Sequence, residues 1–318
     1  MSPEITTSIE DQKKEQMELF KIMAPRVSDL IEFDISDELL NKINDSINEN
    51  RLVVFVGNHQ SYFETEVWAL ISKRLSRMSP KFDGIYLTYS EPATNSNVGE
   101  FLEKRNQYYI ENKLYLLPVI REIDRTDPRY KDLITPEMEE RNSISRSKLA
   151  HARKTNRAIV ALPEGHLTGG RINQETGKIF GIQKAMDKTF LNIVFKENNI
   201  EDEEESRFKK IVKTTKTKFS RLIHKTVLVP IGIDGSYKVL SSEPNNYKFS
   251  KKIPLFLKNK EKPVTVRAKK IIPATEYTSL DGNVVEIIMD IEVAPLVSFD
   301  AQGIHQRTLN RTDLESVV

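Results

Sequence analysis

The chain has 318 residues and no cysteine, with 38% hydrophobic and 30% charged residues, an ordinary globular balance with enough apolar material for one large domain or a domain with an appendage. A net charge of +2 gives no bulk electrostatic reason to expect nucleic acid, and a chain without cysteine forms neither disulfides nor thiolate metal sites. No run approaches the roughly 18 apolar residues of a membrane span, and the polar stretch after Met1 is unlike a signal peptide.

Residues 8–32 alternate charged and apolar positions at helical spacing and are interrupted by Pro25, which predicts two short helices. Residues 36–49 read as a further amphipathic helix with Leu39, Leu40, Ile43 and Ile47 on one face. Together, residues 1–49 are expected to form an N-terminal helical appendage. The run LVVFV over 52–56 predicts a short buried strand, followed by a helix over 67–75. Strands are then expected over 84–88 and 114–119, with a helix over 101–112 between them. A polar helix over 143–155 precedes a strand over 157–162, which ends in Pro163, Glu164 and Gly165.

Residues 182–195 are helix-compatible, and further strands are expected over 226–233 and 264–272. Short apolar strands separated by helical patterns indicate an α/β fold, with a mixed, largely parallel sheet flanked by helices. Residues 50–318 are read as the main domain, carrying a charged insertion near 196–225. That insertion joins the acidic run 201–205 to the basic stretch 207–218, and a solvated helical flap explains it more simply than a binding segment.

The chemistry begins at GNHQSYFE, residues 57–64. His59 follows a strand end, where α/β proteins form ligand crevices, and Glu64 lies five residues later. A turn can bring a carboxylate to the Nδ1 atom of such a histidine, leaving the other ring nitrogen to take a proton from a hydroxyl. A histidine hydrogen-bonded in a turn beside a solvated Glu64 is the plainer alternative. The spacing differs from the HExxH zinc pattern, and His151, His224 and His305 have no recognisable metal-ligand spacing.

Three more strand ends carry polar blocks: VIREIDRT over 119–126, ALPEGHLTGGR over 161–171, and VLVPIGIDG over 227–235. Taken in order with the first block, they resemble the four motifs of the glycerol-phosphate and lysophosphatidate acyltransferase family, over roughly residues 50–275. His59 and Glu64 match a histidine, four intervening residues and then an aspartate, preceded here by Asn58. Ile123, Asp124 and Arg125 match the second motif, Pro163, Glu164 and Gly165 the third, and Val229 with Pro230 the fourth. Two features depart from the family. Glu64 replaces aspartate, and His166-Leu167-Thr168 stands where an arginine is usual. Arg171 is the basic residue nearest that place.

The resemblance implies acyl transfer from a thioester, carried by coenzyme A or acyl carrier protein, to a glycerol 3-phosphate-type hydroxyl. His59 would be the general base, oriented by Glu64. Arg125 and Arg171 would bind phosphate, Glu164 would accept from acceptor hydroxyls, and Gly165 would let backbone approach the ligand. No metal or cofactor is implied. A lysophosphatidate acceptor, or a lipid-phosphate-binding homologue with weakened catalysis, stands as the alternative. A serine hydrolase through Ser61 or Ser236 fits least, since neither lies in a G-x-S-x-G elbow. The expected location is cytoplasmic, with reversible contact to a membrane surface, for which residues 208–225 are one candidate.

Overall fold

The computed structural model describes residues 9–92, 96–162, 225–243, 246–274, 292–293 and 296–297. The fold is α/β, built on a mixed, mostly parallel sheet. Five strands run parallel: β2 (Leu52–Gly57), β3 (Gly84–Ser90), β4 (Leu114–Val119), β5 (Arg157–Ala161) and β6 (Thr226–Asp234). Their order across the sheet is β6-β2-β5-β3-β4. Beyond β6 the direction reverses. β9 (Val264–Arg267) and β10 (Ile272–Pro273) pair antiparallel with its two halves, and β1 (Ile31–Asp34) pairs parallel with β9 at the far edge. A separate hairpin joins β7 (Leu240–Glu243) to β8 (Asn246–Phe249).

The central strands are apolar throughout because both of their faces are covered, and all six residues of β2 are buried. Helix α2 (Asp37–Asn48) packs on β2, and α3 (Glu64–Met78) on β3. Helices α4 (Ser96–Glu111) and α6 (Pro136–Ala150) pack on β4. Leu39, Leu40, Ile43 and Ile47 are all buried, as their helical spacing predicts. Asn50 and Lys113 adopt positive φ just past the ends of α2 and α4, before the next strand, which is the left-handed ending common at helix C-termini.

Several boundaries differ from the sequence reading. Residues 8–32 divide into helix α1 (Ile9–Met23), a 3₁₀ segment over Ala24–Leu30, and the first residues of β1. This N-terminal stretch therefore supplies a strand to the sheet, and its Leu19, Met23, Val27, Leu30 and Ile31 pack in the same hydrophobic cluster as Val53 and Phe55 of β2. Helix α6 begins seven residues before the expected start, where Thr135 accepts from the Met138 N–H and Pro136 occupies the first turn, a position that needs no donor. The expected 264–272 strand is two strands, because β9 and β10 pair with different halves of β6.

Candidate active site

Strands β2, β4, β5 and β6 all end at one edge of the sheet, and the polar blocks of the sequence lie at those ends. The first turn is fixed by long-range bonds to the end of β6. Asn58 is fully buried. Its carboxamide donates to the Ile233 carbonyl and accepts from the Ile233 N–H, each at 2.7 Å. The next buried side chain, Gln60, accepts from the Gly235 N–H at 3.0 Å. Gly235 has φ +79, and a Cβ there would collide with the Pro263 carbonyl, so glycine is required twice over. A carboxamide thus continues the β2–β6 ladder where the main chain turns away.

His59 lies between these two anchors, with its side chain 19% exposed against 1% for Glu64. The ring Nδ1 is 2.7 Å from Glu64 Oε2. Glu64 Oε1 accepts from the N–H groups of Gln60 at 2.5 Å and Ser61 at 3.0 Å, and from the Ser236 hydroxyl at 3.0 Å. Four donors serve the carboxylate, three at Oε1 and His59 at Oε2, as many as an ionised carboxylate can accept. The group also lies in the first turn of α3, where the helix dipole favours negative charge. Burying a carboxylate is costly unless its hydrogen bonds are replaced, and here they are.

A carboxylate on Nδ1 assigns the ring proton to that nitrogen and the lone pair to Nε2. That is the tautomer a base needs. The extra methylene of Glu64 does not disturb the pairing, since the backbone of the turn is folded around the longer side chain. Tyr62 stands edge-on to His59, with ring centroids 6.1 Å apart.

Ser61 and Ser236 are both fully buried. Ser61 Oγ accepts from the Phe63 N–H, closing the turn that leads into α3, and the Ser236 hydroxyl serves Glu64. Neither is presented to an incoming carbonyl. Phe63 and Trp68 are fully buried in the hydrophobic cluster that joins α3 to the sheet. Burial of side chains this large is worth about 1.5–3 kcal/mol each.

Behind α3 lies a second charged cluster. Glu66 is fully buried and receives Arg105 of α4 through two bonds, at 2.7 and 2.6 Å, and the Tyr109 hydroxyl at 3.0 Å. The guanidinium also stacks on Tyr108, 3.8 Å from the ring centroid. Burial pushes the Tyr109 phenol well above its ordinary pKa and the Glu66 charge adds to this, so Tyr109 acts only as a neutral donor. Burial opposes the charge on Arg105, but Glu66 outweighs it and the net shift is upward. The cluster locks the first turn of α3, and with it Glu64, to α4.

At the end of β4, Asp124 is buried and accepts from the Ser90 hydroxyl, the Arg121 N–H and the Arg121 guanidinium. It sits at the third position of the short helix α5 (Glu122–Thr126) and reaches back to the residue before that helix, which is half of a capping box. Arg125 is exposed and grips Glu139 of α6 through both of its terminal nitrogens, one of them at 2.9 Å. β4 lies three strands from β2, about 14 Å at ordinary strand spacing. Arg125 and His59 therefore follow strands that end on the same edge of the sheet, three strands apart.

Strand β5, between β2 and β3, ends at Ala161 on the same edge. Glu164, Gly165, His166 and Arg171 lie outside the described residues, as do residues 182–195 and 208–224. Sequence reasoning missed Ser236 as a partner of Glu64 and missed the Glu66–Arg105–Tyr109 cluster. Among the described residues no group of three or more His, Asp or Glu side chains could hold a metal, and no helix is long and apolar enough to cross a membrane. Models of known protein families give no match to the chain, and curated proteins give none either.

Proposed function

We propose that the chain is an O-acyltransferase that moves an acyl group from a thioester to a glycerol 3-phosphate-type hydroxyl. The observation that carries this reading is the His59–Glu64 pair, in which a fully hydrogen-bonded carboxylate fixes the tautomer of a partly exposed imidazole. His59 Nε2 removes the acceptor hydroxyl proton as that oxygen attacks the thioester carbonyl. The C–O bond forms, the C–S bond breaks, and the imidazolium returns its proton to the leaving thiolate. Glu64 stabilises the imidazolium between these steps, a pattern of base catalysis worth about 10²–10⁴-fold. No protein nucleophile is needed, which accords with two buried serines committed to other bonds. The reaction as written uses no metal or cofactor.

The acceptor phosphate is assigned to Arg125, whose fork already holds a carboxylate. A phosphate presents the same pair of acceptor oxygens and competes for the same donors. Arg171, Glu164 and Gly165, which follow β5 in sequence, complete the acceptor site in this proposal. The donor is acyl-coenzyme A or acyl carrier protein, and a lysophosphatidate acceptor is the neighbouring alternative. The close fit of Glu64 to His59 favours catalysis over a binding-only homologue.

The test is thiol release from an acyl thioester with and without glycerol 3-phosphate or a lysophospholipid. Acceptor-dependent release that disappears in His59→Ala, in a chain that still folds, is the expected result. Release without any acceptor would make the protein a hydrolase, and an active His59→Ala would remove His59 as the base.

A further inference from the structure

Helix α7 (Ile253–Asn259) connects β8 to β9 and buries Ile253 and Leu257, one turn apart. Its other side faces out. Leu255 is 51% exposed, Pro254 is exposed, and Phe256 is half-buried. Lys251 and Lys252 precede this apolar tip and Lys258, Lys260 and Lys262 follow it, and all five are exposed. Among the described residues, two acids meet this segment. Glu15 of α1 pairs with Lys251, and Glu261 accepts from Asn259.

The position matters as much as the composition. The segment after α7 reaches Pro263, whose carbonyl packs directly under Gly235. Gly235 is bonded to Gln60, and its neighbour Ser236 to Glu64. Lys238, exposed on the same turn, extends the basic surface. The patch therefore adjoins the edge of the sheet that carries His59.

We infer that the α7 surface docks the protein reversibly onto an anionic lipid surface. Lysine heads meet lipid phosphates while Leu255 and Pro254 enter the boundary between headgroups and acyl chains, the arrangement typical of interfacial segments. An acidic protein would match the lysines, but exposed lysines on both sides of an exposed leucine and proline match a charged surface with an apolar layer beneath it. Docking of this kind sets the His59 edge of the sheet next to the bilayer. The inference rests on this surface and not on the acyl-transfer reading, so vesicle binding and thiol release can fail independently.

The experiment is sedimentation of the full chain with phosphatidylcholine vesicles, with and without phosphatidylglycerol. Binding is expected only to the anionic vesicles at low salt, and it is expected to be lost near 1 M salt, where the screening length is about 3 Å. Each lysine near an anionic surface contributes about fivefold (about 1 kcal/mol), so Lys252→Ala, Lys258→Ala and Lys262→Ala combined should weaken binding about a hundredfold. Leu255→Ser should weaken it about four- to tenfold at unchanged charge. Thermal melts by circular dichroism check that both variants fold. Failure of the wild-type chain to bind anionic vesicles would overturn the inference, as would wild-type binding by either variant. Capture by immobilised polyglutamate without vesicle binding would assign the face to an acidic protein and overturn it too.

Discussion

Glu64→Gln separates the charge of the orienting group from its shape. The amide has the size of the carboxylate, and its oxygen can still accept from the N–H groups of Gln60 and Ser61 and from the Ser236 hydroxyl. The other oxygen, now 2.7 Å from His59 Nδ1, becomes an NH₂ donor. Nδ1 must then accept, the ring proton moves to Nε2, and the nitrogen that took the substrate proton has no lone pair. The whole base contribution is lost, so kcat should fall about 10²–10⁴-fold while the acceptor KM changes little. Three charge-assisted hydrogen bonds become neutral ones, but a buried charge is also removed. A net loss of about 1–3 kcal/mol in urea unfolding is expected. Steady-state thiol release gives the rate, and imidazole nitrogen NMR shifts report the tautomer. A kcat close to wild type, or a His59 ring still protonated at Nδ1, would refute the proposed role of Glu64.

Ser236→Ala removes one of the four donors to Glu64 without touching His59. Stability should fall by about 1.5–3 kcal/mol, and kcat should fall with it while the acceptor KM stays near wild type; unchanged unfolding and turnover would show the bond to be idle. Arg105→Met leaves Glu66 as a buried charge held mainly by Tyr109 and should cost about 3–5 kcal/mol. Adding Glu66→Gln should recover much of that loss in denaturant titrations, and an equally unstable double variant would contradict an ion-pair origin. Arg125→Ala breaks an exposed pair worth at most about 1 kcal/mol in stability, yet acceptor kcat/KM should fall about ten- to a hundredfold. Normal acceptor kinetics would remove Arg125 from the phosphate site.

The sequence revealed what depends on local pattern. A continuously apolar β2 announced a strand covered on both faces, and the five-residue gap from His59 to Glu64 announced a turn that could join them. It concealed what depends on partners far along the chain. Glu66 looks like a solvated charge two residues after Glu64, because Arg105 is 39 residues away. Ser236 has no local mark of its role, since it acts on a carboxylate 172 positions earlier. β1 was masked by the helical pattern running into it, and β7 (LSSE) and β8 (NYKF) have too few apolar residues to show a period. The early start of α6 was legible only in its cap and proline, because it buries just Asn142, Ser145 and Leu149.

The bonds from Asn58, Gln60 and Glu64 to the end of β6 also set an order of events during synthesis. At about 5–20 residues per second on a ribosome, the 172-residue separation puts Ser236 about 9–34 s behind Glu64. Until β6 emerges, the His59 turn has no Ile233 for Asn58 and no Gly235 for Gln60. The carboxylate that must orient the histidine then keeps only its local donors. If the proposed acyl transfer holds, competence is thus tied to the arrival of the sixth strand, and a nascent chain truncated before residue 236 should carry both site residues while remaining inert.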